Sequence, residues 1–322
     1  MTLRPPSILI TGASGFVGSH LVETAIDHGF ETWAAVRKNS STRYLNDKRT
    51  KIISLDLNDS KTLYQQIIKN KPQGWDYIIH AAGATKALRQ EDFDKANYIT
   101  TRNLIDTLKQ LNLKPKRFVL ISSLATQMPH HSKTQYSLSK TKAENYIKNT
   151  DTDYIILQPT GVYGPRDKDY LLAIKSIRRH LEVTIGFKPQ QLTFIYVRDL
   201  CEAALSALAN GSSRQTYQLS DGKTYSNRDF NTIVKSTLNI KHTIPLTIPL
   251  IILKLVCLAN TLLSQLTKTV SPINKDKYLM LKQRDWTCNI EKARQNLSFH
   301  PRYDLKKGMA ETISWYKKKQ WI

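Results

Sequence analysis

Thr11-Gly12-Ala13-Ser14-Gly15-Phe16-Val17-Gly18 decides how this chain is read. It follows the apolar run Ser7-Ile8-Leu9-Ile10 and opens an amphipathic stretch from Phe16 to His28. Strand, glycine turn and helix, in that order, are the setting in which a glycine run points to a nucleotide site. Gly12 permits the tight turn. Gly15 lets backbone N–H groups approach a pyrophosphate at the positive helix end, and Gly18 lets the helix lie close to the strand. Ser14, Phe16 and Val17 frame the glycines and are candidate cofactor contacts with them. The spacing G-x-x-G-x-x-G departs from the commoner G-x-G-x-x-G. A plain strand–helix connection is the competing reading, and the position straight after the first strand favours a nucleotide.

Downstream, strands and helices alternate. Thr32 to Val36 reads as a second strand, ending in Arg37-Lys38 and then Asn39-Ser40-Ser41. A NAD site usually places an acid there for the ribose 2′-hydroxyl. Arg37 and Lys38 instead suit a 2′-phosphate, so NADP is expected, with NAD the alternative. Lys51 to Leu55 is a third strand ending at Asp56-Leu57, where the carboxylate serves either an adenine amino group or the cap of the next helix, Ser60 to Lys69. Asp76 to His80 is a fourth strand, followed by the small-residue turn Ala81-Ala82-Gly83, where a cofactor can lie against backbone. A long helix over Glu91 to Leu111 carries Asn97, and a fifth strand, Arg117 to Ile121, runs into Ser122-Ser123. Unbroken alternation predicts an α/β fold, a doubly wound parallel sheet of Rossmann type.

Tyr136 and Lys140 are four residues apart in the predicted helix from Tyr136 to Lys148, and so share a face. An ammonium beside a phenol favours phenolate, and a tyrosine tuned in this way serves as a general acid or base. Ser123, at a strand end, is placed to hydrogen-bond the same substrate oxygen.

These pieces together resemble the extended short-chain dehydrogenase/reductase family, which includes nucleotide-sugar epimerases and 3β-hydroxysteroid dehydrogenases. The likeness runs through Thr11 to Gly18, Asp56-Leu57, His80 to Gly83, Asn97, Ser122-Ser123, Tyr136 to Lys140 and Gln158 to Pro165. It continues through Ile195 to Leu200 and Trp315-Tyr316, and so covers essentially the whole chain. The resemblance implies that Tyr136 is the acid/base, Lys140 the ribose-binding partner that tunes it, Ser123 the residue that positions the reacting oxygen, and Asn97 part of a proton relay. It implies that Pro159, Thr160 and Val162 hold the nicotinamide end, and that the protein is a homodimer. Two features depart from relatives. Tyr136 follows Ser123 by only thirteen positions, and this short segment holds His130-His131, read either as substrate contacts or as solvent-facing residues. Leu124-Ala125 replace the Asp-Glu pair of sugar 4,6-dehydratases, which argues against elimination chemistry.

The 322 residues carry 48 Lys and Arg against 26 Asp and Glu, a net charge of +22. That balance suits anionic ligands, an anionic membrane surface or nucleic acid. The charges are scattered and no nucleic-acid motif accompanies them, so no nucleic-acid partner is expected. Cys201, Cys257 and Cys288 are unclustered and suggest neither disulfides nor a metal site. No apolar signal core lies within Met1 to Pro6, so a cytoplasmic protein is expected, with membrane association as an addition.

Residues 1–165 are read as the dinucleotide-binding domain, with 192–210 returning to it. Residues 166–322 are read as a smaller, mostly helical substrate domain interleaved with it. Ile244 to Leu266 is the unusual stretch. From Leu250 on, its polar residues Lys254, Thr261 and Gln265, with Lys268 beyond, fall on one narrow face. Leu250 to Leu266 spans about 25 Å as a helix, short of a hydrocarbon core. A core helix, a lid over an apolar substrate, and an interfacial helix making peripheral membrane contact through 249–268 all fit. The core or lid reading ranks first, because interfacial helices usually show a more evenly divided polar face.

The expectation is an NAD(P)-dependent oxidoreductase that interconverts a secondary alcohol and a carbonyl in a small-molecule substrate. The substrate is either apolar or a nucleotide sugar. An epimerase retaining NAD, and a non-catalytic NADP sensor or scaffold, are the alternatives.

Overall fold

The computed structural model describes residues 4–267 and 274–322. Six strands come first: β1 (Ser7–Thr11), β2 (Glu31–Val36), β3 (Lys51–Ser54), β4 (Tyr77–His80), β5 (Arg117–Ile121) and β6 (Tyr154–Pro159). Then come β7 (Gly161–Tyr163), β8 (Leu181–Ile185), β9 (Phe194–Tyr196), β10 (Gln215–Leu219) and β11 (Ile244–Ile248). The helices of the first half are α1 (Phe16–Asp27), α2 (Ser60–Asn70), α3 (Gln90–Phe93), α4 (Thr100–Gln110) and α5 (Gln135–Lys148). The second half adds α6 (Leu171–Arg178), α7 (Val197–Ala209), α8 (Asn227–Leu238), α9 (Leu250–Thr267), α10 (Lys275–Lys282), α11 (Glu291–Leu297) and α12 (Leu305–Lys318).

Seven strands form one parallel sheet in the order β10-β6-β5-β4-β1-β2-β3. The order reverses between β1 and β4, and the crevice at such a switch point is where doubly wound sheets bind ligands. Side-chain alternation explains the continuous apolar runs. Ile8 and Ile10 of β1 enter one layer with Leu21 of α1 and Leu200 of α7, while Leu9 enters the other with Leu63 of α2 and Leu104 of α4. Val119 and Phe118 of β5, and Ile155 and Ile156 of β6, divide between the layers in the same way. Each such side chain contributes about 1.5–3 kcal/mol by leaving water.

A third cluster is aromatic. Tyr163, Phe194, Tyr196, Phe230 and Tyr316 pack with Met309 and Ile313 where β7 and β9 pair beneath α8 and α12. The main sheet recruits β10, which lies outside the segments 1–165 and 192–210 expected to form it, whereas β9 pairs with β7 in a separate two-stranded sheet.

The long helix expected over Glu91 to Leu111 is continuous but not uniform. Asp94–Ile99 is a π-helical turn between α3 and α4, and it carries Asn97. The Ile244 to Leu266 stretch departs further from expectation. Its start is a strand, β11, parallel to β8 in a separate two-stranded sheet. Its helix, α9, is not a core helix: Leu253 and Cys257 are buried, while Ile251, Leu255 and Leu262 are more than half exposed. The side chain of Gln265, and all of Lys268, lie outside the described residues. Among the described residues no helix is long and apolar enough to cross a membrane.

Candidate active site

The glycine turn is held against the neighbouring strand end. Gly12 has φ +66°, and a Cβ there would stand 2.7 Å from the Ala81 carbonyl oxygen. A Cβ on Gly18 would stand 2.0 Å from the Gly12 carbonyl oxygen. Thr11 and His80 brace the same junction: their side chains meet at 2.8 Å, and Thr11 Oγ1 accepts from the Ala82 N–H at 3.1 Å. Burial pushes His80 down to about 3, so its ring is neutral. Helix α1 then begins after Gly15 with no side-chain cap. Its first amides are donors without an internal partner, beside the positive end of the helix dipole.

A cleft of about 880 Å³ opens over this turn. Gly12, Ser14, Gly15, Phe16, Val17 and Gly18 form its floor, Ala81, Ala82 and Gly83 one wall, and Arg37 and Leu57 its far end. The donor-rich helix end, the backbone walls and the cations fit a dinucleotide. Lys38 and Asp56 stand outside the lining. The Asp56 carboxylate accepts from the Asn58 N–H at 3.0 Å in a local turn, and the cap of α2 is Asp59, accepting from the Thr62 N–H at 3.1 Å. Ser40, Arg43 and Asn58 line the cleft instead. Arg43 belongs to the same basic loop as Arg37, a signal the local charge pattern already held.

The cleft continues into a pocket of about 290 Å³ that shares Phe16, Val17 and Gly83 with it. Ser123, Tyr136, Lys140 and Asn97 meet here, with Pro159, Thr160 and Val162 opposite. Helix α5 places Tyr136 and Lys140 because Thr134 caps it reciprocally with Ser137. Ser123 Oγ accepts from the Ala125 N–H at 3.2 Å, and its hydroxyl hydrogen-bonds the Tyr136 phenol.

Lys140 and Asn97 each make a structural hydrogen bond within the pocket. The Lys140 ammonium donates to the Ile121 carbonyl at 2.7 Å. Burial raises the Tyr136 phenol above its ordinary value, with the Ser123 hydroxyl pulling the other way. Lys140 is itself pushed down to about 8 by burial, opposed by Glu144. Asn97 is a tether. Its Nδ2 donates to Ala84 O at 3.1 Å and Ser139 Oγ at 2.9 Å, and its Oδ1 accepts from the Ala84 N–H at 2.9 Å. The π turn aims this amide inward and locks the loop after β4 to α5.

Beneath the pocket, Gln158 Nε2 donates to Glu144 Oε1 at 2.8 Å and to Thr126 Oγ1 at 2.9 Å, while Ser122 Oγ also donates to Glu144. This buried network fixes the floor below Ser123. His130 and His131 are exposed and outside the pocket.

One wall had no local signal in the sequence. Helix α10 brings Asp276, Lys277 and Met280 to the pocket, and Asp276 accepts from the Tyr136 backbone N–H at 3.1 Å. Lys86 pairs with Asp169 at 2.6 Å across the mouth. A similar-sized surface groove of about 890 Å³ runs over α4 and α5 but holds none of these residues.

A Rossmann sheet with a dinucleotide cleft leading to a Ser-Tyr-Lys pocket defines a nicotinamide-dependent enzyme. The chain belongs to the NAD dependent epimerase/dehydratase family, whose model matches residues 8–220. It is 26% identical to the ceramide reductase of Caulobacter vibrioides, covering 98% of this chain and 96% of that protein. It is 24% identical to the decarboxylating sterol-4-alpha-carboxylate 3-dehydrogenase of Dictyostelium discoideum, covering 95% and 99%. Among solved structures, the UDP-glucose 4-epimerase of Thermotoga maritima with UDP-glucose superposes with a TM-score of 0.77 at 18% identity, covering 98% and 99%. That likeness speaks for the fold.

Proposed function

We propose that this protein is an NADPH-dependent reductase that converts a ketone on an apolar, lipid-like substrate to a secondary alcohol. The observation that carries the reading is the convergence of Ser123, Tyr136 and Lys140 in a pocket continuous with the dinucleotide cleft. The nicotinamide, when bound, supplies the hydride. Tyr136, kept protonated by burial, gives its proton to the substrate oxygen, and Ser123 donates a hydrogen bond to the same oxygen. Lys140 contributes a buried positive charge beside that reaction, and Asn97 positions the loop rather than passing protons. Phe93, Leu200 and Met280 give the pocket apolar walls. The names of the relatives lean the same way, since ceramide reductase and sterol-4-alpha-carboxylate 3-dehydrogenase both act on lipids.

The test is NADPH consumption against a panel of long-chain and polycyclic ketones, with UDP-sugars as the control. Consumption with the lipid ketones alone supports the reading.

Cofactor choice has its own test. Arg37 and Arg43 both line the cleft near the end of β2. The R37E/R43E double variant is expected to weaken NADPH binding at least about 10-fold and leave NADH binding within about 2-fold. Fluorescence titration of both cofactors measures this.

The pH profile follows from the directions of the shifts. Lys140 is charged below about 8 and neutral above it, whereas Tyr136 keeps its proton through neutral pH. Reduction is therefore expected to fall as pH rises through about 8. Alcohol oxidation, which needs phenolate, is expected to climb with pH. Steady-state kcat/KM measured in both directions checks the opposite slopes.

A further inference from the structure

We propose that the face formed by α9, β8, β11 and Phe187 docks on the surface of an anionic phospholipid bilayer. Among the described residues, twelve of the sixteen exposed large apolar side chains lie in these elements, so they make one patch rather than scattered exposure. Phe187 is 81% exposed, and Ile251, Leu255 and Leu262 are 62%, 60% and 63% exposed.

The helix is inside out for a helix of a water-soluble surface. At ~100° per residue, Ile251, Leu255, Leu258 and Leu262 centre one arc, with Ile252 and Leu263 beside them. All six are exposed, while the buried Leu253 and Cys257 lie on the opposite side. The apolar arc thus faces away from the protein. The small sheet repeats the pattern. Leu181 and Val183 of β8 are in register with Ile244 and Leu246 of β11, and all four are exposed. The two parts are continuous: the Gly186 N–H donates to Ile248 O at 2.8 Å, and Gly186 lies against Leu250, with Phe187 next in the chain.

Charge selects the occupant. No Asp or Glu occurs between Ile240 and Lys275. The one acid between Leu171 and Gln191, Glu182, is paired with Lys235 at 2.6 Å. Arg178, Arg179, Lys188, Lys241 and Lys254 are exposed around the patch. A second copy on this face would oppose like charges, whereas anionic headgroups complement them. With no described helix able to span a bilayer, α9 lies in the interface plane.

Docking would also set the pocket near the membrane. Helix α9 packs on α10, and the Lys275 N–H donates to Thr261 Oγ1 at 3.2 Å. Delivery of a lipid ketone from the bilayer past α10 rests on the proposed function; docking itself does not.

The test is co-sedimentation of the full chain, without cofactor or substrate, with phosphatidylcholine vesicles and with vesicles containing phosphatidylglycerol. Partition is expected to be at least about 10-fold stronger on the anionic vesicles and to weaken with added salt. The F187E/L255E/L262E variant is expected to lose at least about 10-fold in partition while NADPH binding and the melting temperature stay near wild type. Wild type left in the supernatant with anionic vesicles, or a triple variant that binds as well as wild type, overturns the proposal. So does a concentration-dependent dimer, seen by sedimentation velocity, that the same substitutions dissolve while vesicles capture neither protein. Vesicle binding without ketone reduction would refute the proposed function and leave docking standing.

Discussion

Tyr136→Phe is expected to lower kcat for ketone reduction by about 10³-fold, within the range by which positioned proton donors accelerate reactions. Only the phenolic oxygen is lost. The aromatic contact with Phe93, at 6.2 Å between ring centres, survives in a phenylalanine, and so does the backbone hydrogen bond to Asp276. The variant should therefore fold, bind NADPH within about 2-fold of wild type and fail at proton transfer. Single-turnover kinetics and cofactor titration separate these quantities. A sensor or scaffold on the same fold makes the opposite forecast: Tyr136→Phe would leave its cellular role intact. Loss of the role together with loss of turnover, with cofactor binding kept, sets that alternative aside.

Gly18→Ala is expected to abolish dinucleotide binding, a loss of at least about 100-fold in affinity, and to destabilise the fold by about 1–3 kcal/mol. The added Cβ would meet Gly12 O at 2.0 Å, Gly12 C at 2.6 Å and Ala13 Cα at 2.9 Å. All three are backbone atoms, so no rotamer change relieves the overlap. Helix α1 must move off the turn, and the first-turn amides move with it. Gly15→Ala is the graded control. Its Cβ meets only Gly12 O, at 3.2 Å, so folding should persist and affinity should fall about 10-fold. Thermal melting and NADPH fluorescence on both variants read the order of effects.

Much of the dinucleotide half was legible because its determinants are local. A parallel strand buried on both faces must be an apolar run, and the turn after β1 needs glycine where backbone meets backbone. Ser123, Tyr136 and Lys140 were readable from a strand end and a four-residue helical spacing. What spacing did not reveal was direction. Sharing a face with Tyr136 does not tell Lys140 whether to reach the phenol or the Ile121 carbonyl, and the structure chooses the carbonyl. Asp276 was invisible because it reaches Tyr136 from 140 residues away. Strands β7, β8 and β11 were hard to read for a related reason: they are three to five residues long and find partners far off in the chain. Helix α9 misled because an apolar face is normally a buried one, and here it points outward.

The most direct test of hydride transfer to a lipid ketone is isotopic. Purified protein is given NADPH carrying deuterium at the transferable position and a lipid ketone that supports NADPH consumption, and the products are weighed by mass spectrometry. One deuterium is expected in the product alcohol with an equal amount of NADP formed, both lost in Tyr136→Phe. Protein that releases tightly held NAD on denaturation, consumes no NADPH and interconverts a UDP-sugar would contradict this expectation and assign epimerisation instead.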